Sequence, residues 1–375
     1  MTSRLFALFS TILVLAVAIP AVAADVNFAG SAYVDYWFTN SEPARKSALT
    51  GITPEAAVKM EVDVHESLSF SARVCFSCHG LEIDRAHVDF TPTAAFNIQA
   101  GRIGVPFGEM SVRYDPTSHR SVSKPLIYDM GRMAYGGRSA FNFGVIPQPY
   151  VDTGVVLYGQ VWPTENFQLW YAGYAVGGLR GVNDFDFASM RTSFYVDNNN
   201  EPAGGGRLVM TISGSDPDSA FKDFSLGVSG MYGHYDPDRR RAYTALGADT
   251  SLRVGPVTVR AEAAFIRVEL VPDQTLYRYE LIDTYYDKAG FFVELEHPLG
   301  SRFMSLYRFD AMVRKGNVVS TADPLMSPNS QILRYTQAFQ LLLSSSMYLK
   351  ASYEYTWMND FPSFHSVHFG VGGSF

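Results

Sequence analysis

The chain's two cysteines lie three residues apart in Cys75-Phe76-Ser77-Cys78-His79, with an imidazole directly after the second thiol. Two thiols at that spacing can close a local disulfide in an oxidising compartment, provided the backbone turns to bring their Cα atoms within bridging reach. With His79 they can also hold a soft metal, although two Cys and one His leave a zinc site one ligand short. A second group of chemically able side chains falls on the run from 107 to 151, where Arg113, His119, Arg120, Lys124, Arg132 and Arg138 stand against Glu109, Asp115 and Asp129. Such a cationic excess draws small anions wherever it borders water. No Ser, His and Asp converge at a strand end to recommend hydrolysis, so no enzyme is expected.

The elements that must position these residues are announced by composition. Of 375 residues, 47 % are hydrophobic, 14 % aromatic and only 18 % charged, which excludes a disordered chain. A formal charge of −7 speaks against a nucleic-acid partner. Residues 1–23 read as a signal peptide: Arg4 gives a positive start, Leu5 to Ile19 an apolar stretch, and Ala21-Val22-Ala23 a cleavage site. The mature chain, 24–375, is expected to be one unit. It offers no run of 18 apolar residues, so no membrane helix is expected within it.

What it offers instead is strict two-residue alternation. Val58, Met60, Val62 and Val64 alternate with Lys59, Glu61, Asp63 and His65, and Tyr307, Phe309, Ala311 and Val313 with Arg308, Asp310, Met312 and Arg314. About sixteen segments of this kind follow one another, each near the ten residues of a tilted membrane strand. Their connections alternate between short turns, such as His65-Glu66-Ser67, Thr91-Pro92-Thr93 and Gly255-Pro256, and longer polar loops, the longest being 107–151. Lipid leaves backbone polar groups no partner but the neighbouring strand, so a spanning sheet must close. The expectation is an all-β, transmembrane antiparallel barrel of about sixteen strands.

The final strand, Phe364 to Phe375, ends on an aromatic residue in phase with Val367, Phe369 and Val371. That terminus resembles the assembly signal of Gram-negative outer-membrane β-barrels, and the mature chain as a whole resembles the porins. The resemblance implies the outer membrane of a Gram-negative bacterium, passive diffusion of small hydrophilic solutes, a homotrimer, and a loop after the fifth strand that folds into the bore. By the alternation, the bore is lined by acids (Glu61, Asp63, Asp89, Asp249, Glu262, Glu294, Glu296, Asp310, Glu354) and bases (Lys59, Arg73, Arg85, Arg207, Arg253, Arg260, Arg308, Arg314, Arg334, Lys350) in near balance. It should be a water-filled channel. If loop 107–151 folds inward, its six basic residues form a mildly basic constriction with a weak anion preference. If it stays outside, it is a surface loop.

The pentapeptide Cys75–His79 resembles the attachment site of c-type haem. This implies one covalent haem, thioether-linked to Cys75 and Cys78, with His79 on the iron and Met110, His119, Met130, Met133 or His87 as candidate distal ligands. A haem-bearing barrel would serve electron transfer, and partner cytochromes would be obligatory, because one haem at a rim cannot span roughly 30 Å of hydrocarbon. A disulfide or free thiols remain the alternative.

Overall fold

The computed structural model describes residues 25–40, 51–77, 80–128, 134–136, 139–141, 144–147, 150–179, 197–216, 218–270, 279–280, 282–316, 318–319, 327–360 and 362–375. The signal-peptide segment lies outside them. Sixteen strands close into one barrel, each hydrogen-bonded to its neighbours in sequence. They are β1 (Asp25–Thr39), β2 (Gly51–His65), β3 (Leu68–Ser77), β4 (Gly80–Thr93), β5 (Phe96–Gly104), β6 (Val151–Thr164), β7 (Phe167–Val176) and β8 (Ala203–Ser213). The second half comprises β9 (Phe221–His234), β10 (Ala242–Val254), β11 (Val257–Glu269), β12 (Tyr285–Pro298), β13 (Phe303–Lys315), β14 (Asn329–Leu342), β15 (Met347–Met358) and β16 (Phe364–Ser374).

All pairings are antiparallel, and the ring is sealed where β1 meets β16, Tyr36 opposite Phe369 and Ser31 opposite Ser374. Phe375 adds a reciprocal backbone pair with Gly30 at the seam. With both termini of the barrel on the short-turn rim, the long connections share the other rim.

Alternation sets the two faces as expected. Val228, Phe291, Phe309 and Leu333 stand exposed on the outer wall, whereas Arg308, Asp310 and Arg334 are buried inside. The outer face is a continuous apolar band of the kind that only hydrocarbon can solvate without penalty. Two local details depart from the sequence reading. The connection expected at Thr91-Pro92-Thr93 belongs to β4, and the turn falls at residues 94–95. The register shift between Phe90 and Thr93 accounts for this, since a bulge accommodates a proline that cannot donate to the ladder. A second shift lies opposite Arg73 and Val74, where Asp84 is the extra residue. It puts Asp84 beside Arg85 on the luminal side, an acid that strict alternation assigns to lipid.

The bore is not evenly wet. Toward the long-loop rim it holds an apolar core in which Phe107, Met110, Ile127 and Ile146 from the connection after β5 pack on wall residues Ile103, Val156, Tyr243, Ile266, Phe292 and Met312. The expected open channel is therefore confined to part of the cross-section, because the alternating face carries aromatic and aliphatic side chains there. Near the short-turn rim the wall is open: Lys59 and Glu61 pair at 2.6 Å with side chains 47 % and 40 % exposed.

Replacing Phe309, in the middle of β13 on the outer wall, by Arg should cost about 2–4 kcal/mol, while an equal change near a rim costs less. Reversible guanidinium unfolding in phospholipid vesicles measures the difference.

Candidate functional site

The functional part of a wide barrel is whatever narrows it, and here that is the connection between β5 and β6. It turns inward immediately. At Gly108, φ is +71°, a left-handed conformation that glycine adopts without strain. A β-carbon there would overlap both Glu262 and the Tyr128 hydroxyl. The Gly108 amide donates to Ser229 Oγ at 3.1 Å, and the Glu109 amide to Glu262 Oε1 at 3.1 Å. Tyr128, nineteen residues further on, donates its hydroxyl to the same Glu262 oxygen. One buried wall carboxylate thus ties down both ends of the inserted segment.

Between those ends the segment crosses the bore. After a single helical turn, α1 (Met110–Arg113), Arg113 reaches Glu294 at 3.3 Å and Glu296 at 3.2 Å on β12. The next two residues engage the other side: the Tyr114 hydroxyl donates to Asp84 at 3.0 Å, and Asp115 accepts from Arg73 at 2.6 Å. Arg73 also pairs with Asp84 at 2.9 Å, and the Arg85 guanidinium lies 5.1 Å over the Tyr114 ring. In a ring of sixteen strands, β12 and β3 are seven apart by the shorter way round, so Arg113, Tyr114 and Asp115 brace two nearly opposite walls. Val112, 76 % exposed, projects from the brace into open space in the lumen.

The return path is fastened to β13–β15. Lys350, buried on β15, donates to the carbonyls of Pro116, His119 and Ser121, with the Tyr33 and Tyr348 rings 5.3 and 4.9 Å from its nitrogen. Arg308 donates to the hydroxyls of Ser121 and Ser123, both at 2.8 Å, and to the Lys124 carbonyl at 3.2 Å. Asp310 accepts the Leu126 amide at 2.7 Å and pairs with both Arg308 and Arg334. The carbonyls of a loop buried in a bore need donors as much as any other backbone group, and wall cations supply them. Alternation identified Arg308 and Lys350 as luminal, but not that their partners would be loop carbonyls.

Of the six basic residues expected at the constriction, the four that are described meet different partners. Arg113 and Arg120 face the carboxylates of β12, Arg120 lying 3.8 Å from Glu296. His119 is buried, its Nδ1 2.9 Å from the Ser121 carbonyl. Lys124 is half-buried and contributes its carbonyl to Arg308 and Arg334. Arg132 and Arg138 lie outside the described residues. Glu109 and Arg260, 3.2 Å apart, complete a network in which Glu296 meets Arg260 at 2.7 Å. Paired charges project a weak net field. Glu55, Asp84 and Lys288 went unrecognised in the sequence as luminal charges; the first belongs to a strand that begins earlier than its alternation suggests.

Cys75 lies in regular pairing opposite Ala57 and Glu82, on the luminal face shared by Ser71 and Arg73, and is half-buried. Cys78 and His79 lie outside the described residues, as do Met130 and Met133. Of the other candidate ligands, Met110 is packed in the apolar core, and His87 stands opposite Ser71 with Nε2 3.3 Å from Asp89. Among the described residues, no group of three or more His, Cys, Asp and Glu has the arrangement to hold a metal ion.

No family model and no curated protein matches this sequence. Solved structures do match in shape. OmpT of Vibrio cholerae, an outer-membrane protein, aligns at a TM-score of 0.58 and 9 % identity over 95 % of this chain and 99 % of its own. Salmonella typhi OmpF aligns at 0.58 and 10 % identity over 93 % and 97 %. The outer-membrane channel DcaP of Acinetobacter baumannii aligns at 0.55 and 13 % identity over 94 % and 97 %. The shared property is the barrel: this chain has the sixteen-strand fold of outer-membrane porins.

Two outcomes follow from the fastening of the loop. Lys350→Met removes the donor to three buried carbonyls and should weaken docking by about 1–3 kcal/mol. Trypsin then cleaves after Arg113 and Arg120, while the barrel keeps its heat-modifiable mobility on gels. Burial first, and the neighbouring Lys350 after it, hold the His119 imidazole well below its usual pKa. The docked loop thus binds this proton less readily than the released loop. Docking should be pH-independent above about 6.5 and weaken as the pH falls below it. Hydrogen-exchange protection of 115–124, corrected for intrinsic rate, reads this out, and His119→Gln should flatten the dependence.

Proposed function

We propose that this protein is a channel of the Gram-negative outer membrane that passes small hydrophilic solutes by passive diffusion. The observation that carries the reading is the inserted segment. Sixteen strands enclose more space than wall side chains fill, and a loop braced across that space narrows it without sealing it, as the exposed Val112 and the open short-turn half attest. The relatives in fold described above, a channel among them, support the same reading. Because Arg113 and Arg120 are matched by Glu294 and Glu296, any anion preference is weak. A homotrimer belongs to the same reading.

In planar bilayers the purified protein should show stepwise conductance, with a reversal potential within a few millivolts of zero in a potassium chloride gradient. Absence of conductance overturns the proposal.

A second reading rests on the pentapeptide. Cys75 and Cys78 would carry a covalent haem and His79 would ligate its iron, supplying one-electron chemistry passed on to partner cytochromes. Cys75 stands two residues before the long-loop end of β3, the rim such partners would approach. A haem-stained denaturing gel with intact mass decides: a stained band with the mass of one haem supports this reading, and a mass lower by two hydrogens establishes a disulfide.

A further inference from the structure

The lumen is chemically lopsided. On one side, β11 to β15 and the loop form the ion-pair wall described above. On the other, the luminal faces of β5, β6 and β7 carry, below Asp152, no charged residue. They carry carboxamides and aromatic rings instead: Asn97 opposite Tyr158, Gln160 opposite Trp170, with Gln99 and Gln168 adjoining.

We infer that this strip is a binding track for neutral sugars, an assignment that rests on the channel reading and specifies its solute. A sugar hydroxyl is both donor and acceptor, and a carboxamide is the side chain that offers both without charge. The strip displays both kinds of group. Gln168 donates to Gln160 Oε1 at 2.6 Å, which fixes the two amides and leaves the Gln160 NH2 as donor and Gln168 Oε1 as acceptor. Gln99 donates to Asp89 at 2.8 Å and Tyr158 donates to Asp89 at 3.0 Å, leaving the Gln99 oxygen and the phenol oxygen as acceptors. Asp89, the acid beside it on β4, is occupied by these bonds and by His87.

The rings supply the other half of recognition. Trp170 and Tyr158 are only partly buried and pack against the apolar core. They are anchored by it while keeping surface in the lumen, so little entropy is lost when the flat C–H face of a pyranose stacks on them. Facing residues on neighbouring strands stand about 5 Å apart, and successive luminal residues about 7 Å. The strip thus matches one or two hexose rings. An ion on this path meets no counter-charge here, and a neutral polyol gains nothing from the opposite wall.

The test is single-channel recording with glucose or maltose added on either side. Saturable current interruptions are expected, with an apparent affinity reduced about tenfold by Trp170→Ala, retained by Trp170→Phe, and reduced about fivefold by Gln160→Leu. Polyethylene glycol of equal radius should lower conductance without depending on Trp170. A channel that conducts salt but responds to sugar no more than to the polymer overturns the sugar track and leaves the channel reading standing. Gluconate bound as well as glucose overturns the assignment to neutral solutes. A protein that conducts nothing overturns the channel reading itself.

Discussion

Everything in this protein follows from the requirement that no backbone amide or carbonyl be left unpaired in hydrocarbon. A sheet meets it only by closing, here through the β1–β16 pairing that Gly30 and Phe375 complete. Closing sixteen strands fixes a bore wider than their side chains can fill. A barrel of this width must leave its interior to water or to a piece of its own chain, and this one does some of each.

The inserted segment faces the same requirement in a different solvent. Its carbonyls are removed from water by the wall, and the wall answers with cations: Lys350 for Pro116, His119 and Ser121, Arg308 and Arg334 for Lys124. Carboxylates do the reverse duty for amides, Glu262 at Glu109 and Asp310 at Leu126. The charges that make the lumen look like an ion path are therefore largely structural. Buried charges of this kind are satisfied by partners rather than spent on solutes. The luminal surface outside these networks includes the less charged side, where amides and rings line β5 to β7.

The strands and their faces were legible because alternation has a period of two and lipid punishes any exception on the outer wall. Val228, Phe309 and Leu333 could only face outward, and Arg308 and Asp310 only inward. Legibility failed where the period breaks. Pro92 read as a turn and proved to be a bulge, and the bulge at Asp84 turned a lipid-side position into half of the Arg73 pair. It failed again in loop 107–151, which has no period at all. Six basic residues close in sequence suggested a mildly basic constriction; among the described ones, Arg113 goes to β12, His119 is buried and the Lys124 carbonyl is bound by Arg308.

The sequence by itself determined the class of the molecule, the approximate number of its strands, which face of a regular strand meets lipid and which connection is too long to be a mere link. These are properties of local pattern and of the solvent outside. Only the tertiary structure decided how charge is distributed inside. A luminal cation paired with a carboxylate, or with three carbonyls, presents almost nothing to a passing solute, and pairing is fixed by residues far apart in the chain: Arg113 with Glu296, Arg73 with Asp115, Lys350 with His119. No count of charges along a strand contains that information, because it depends on where a loop comes to rest across a closed ring.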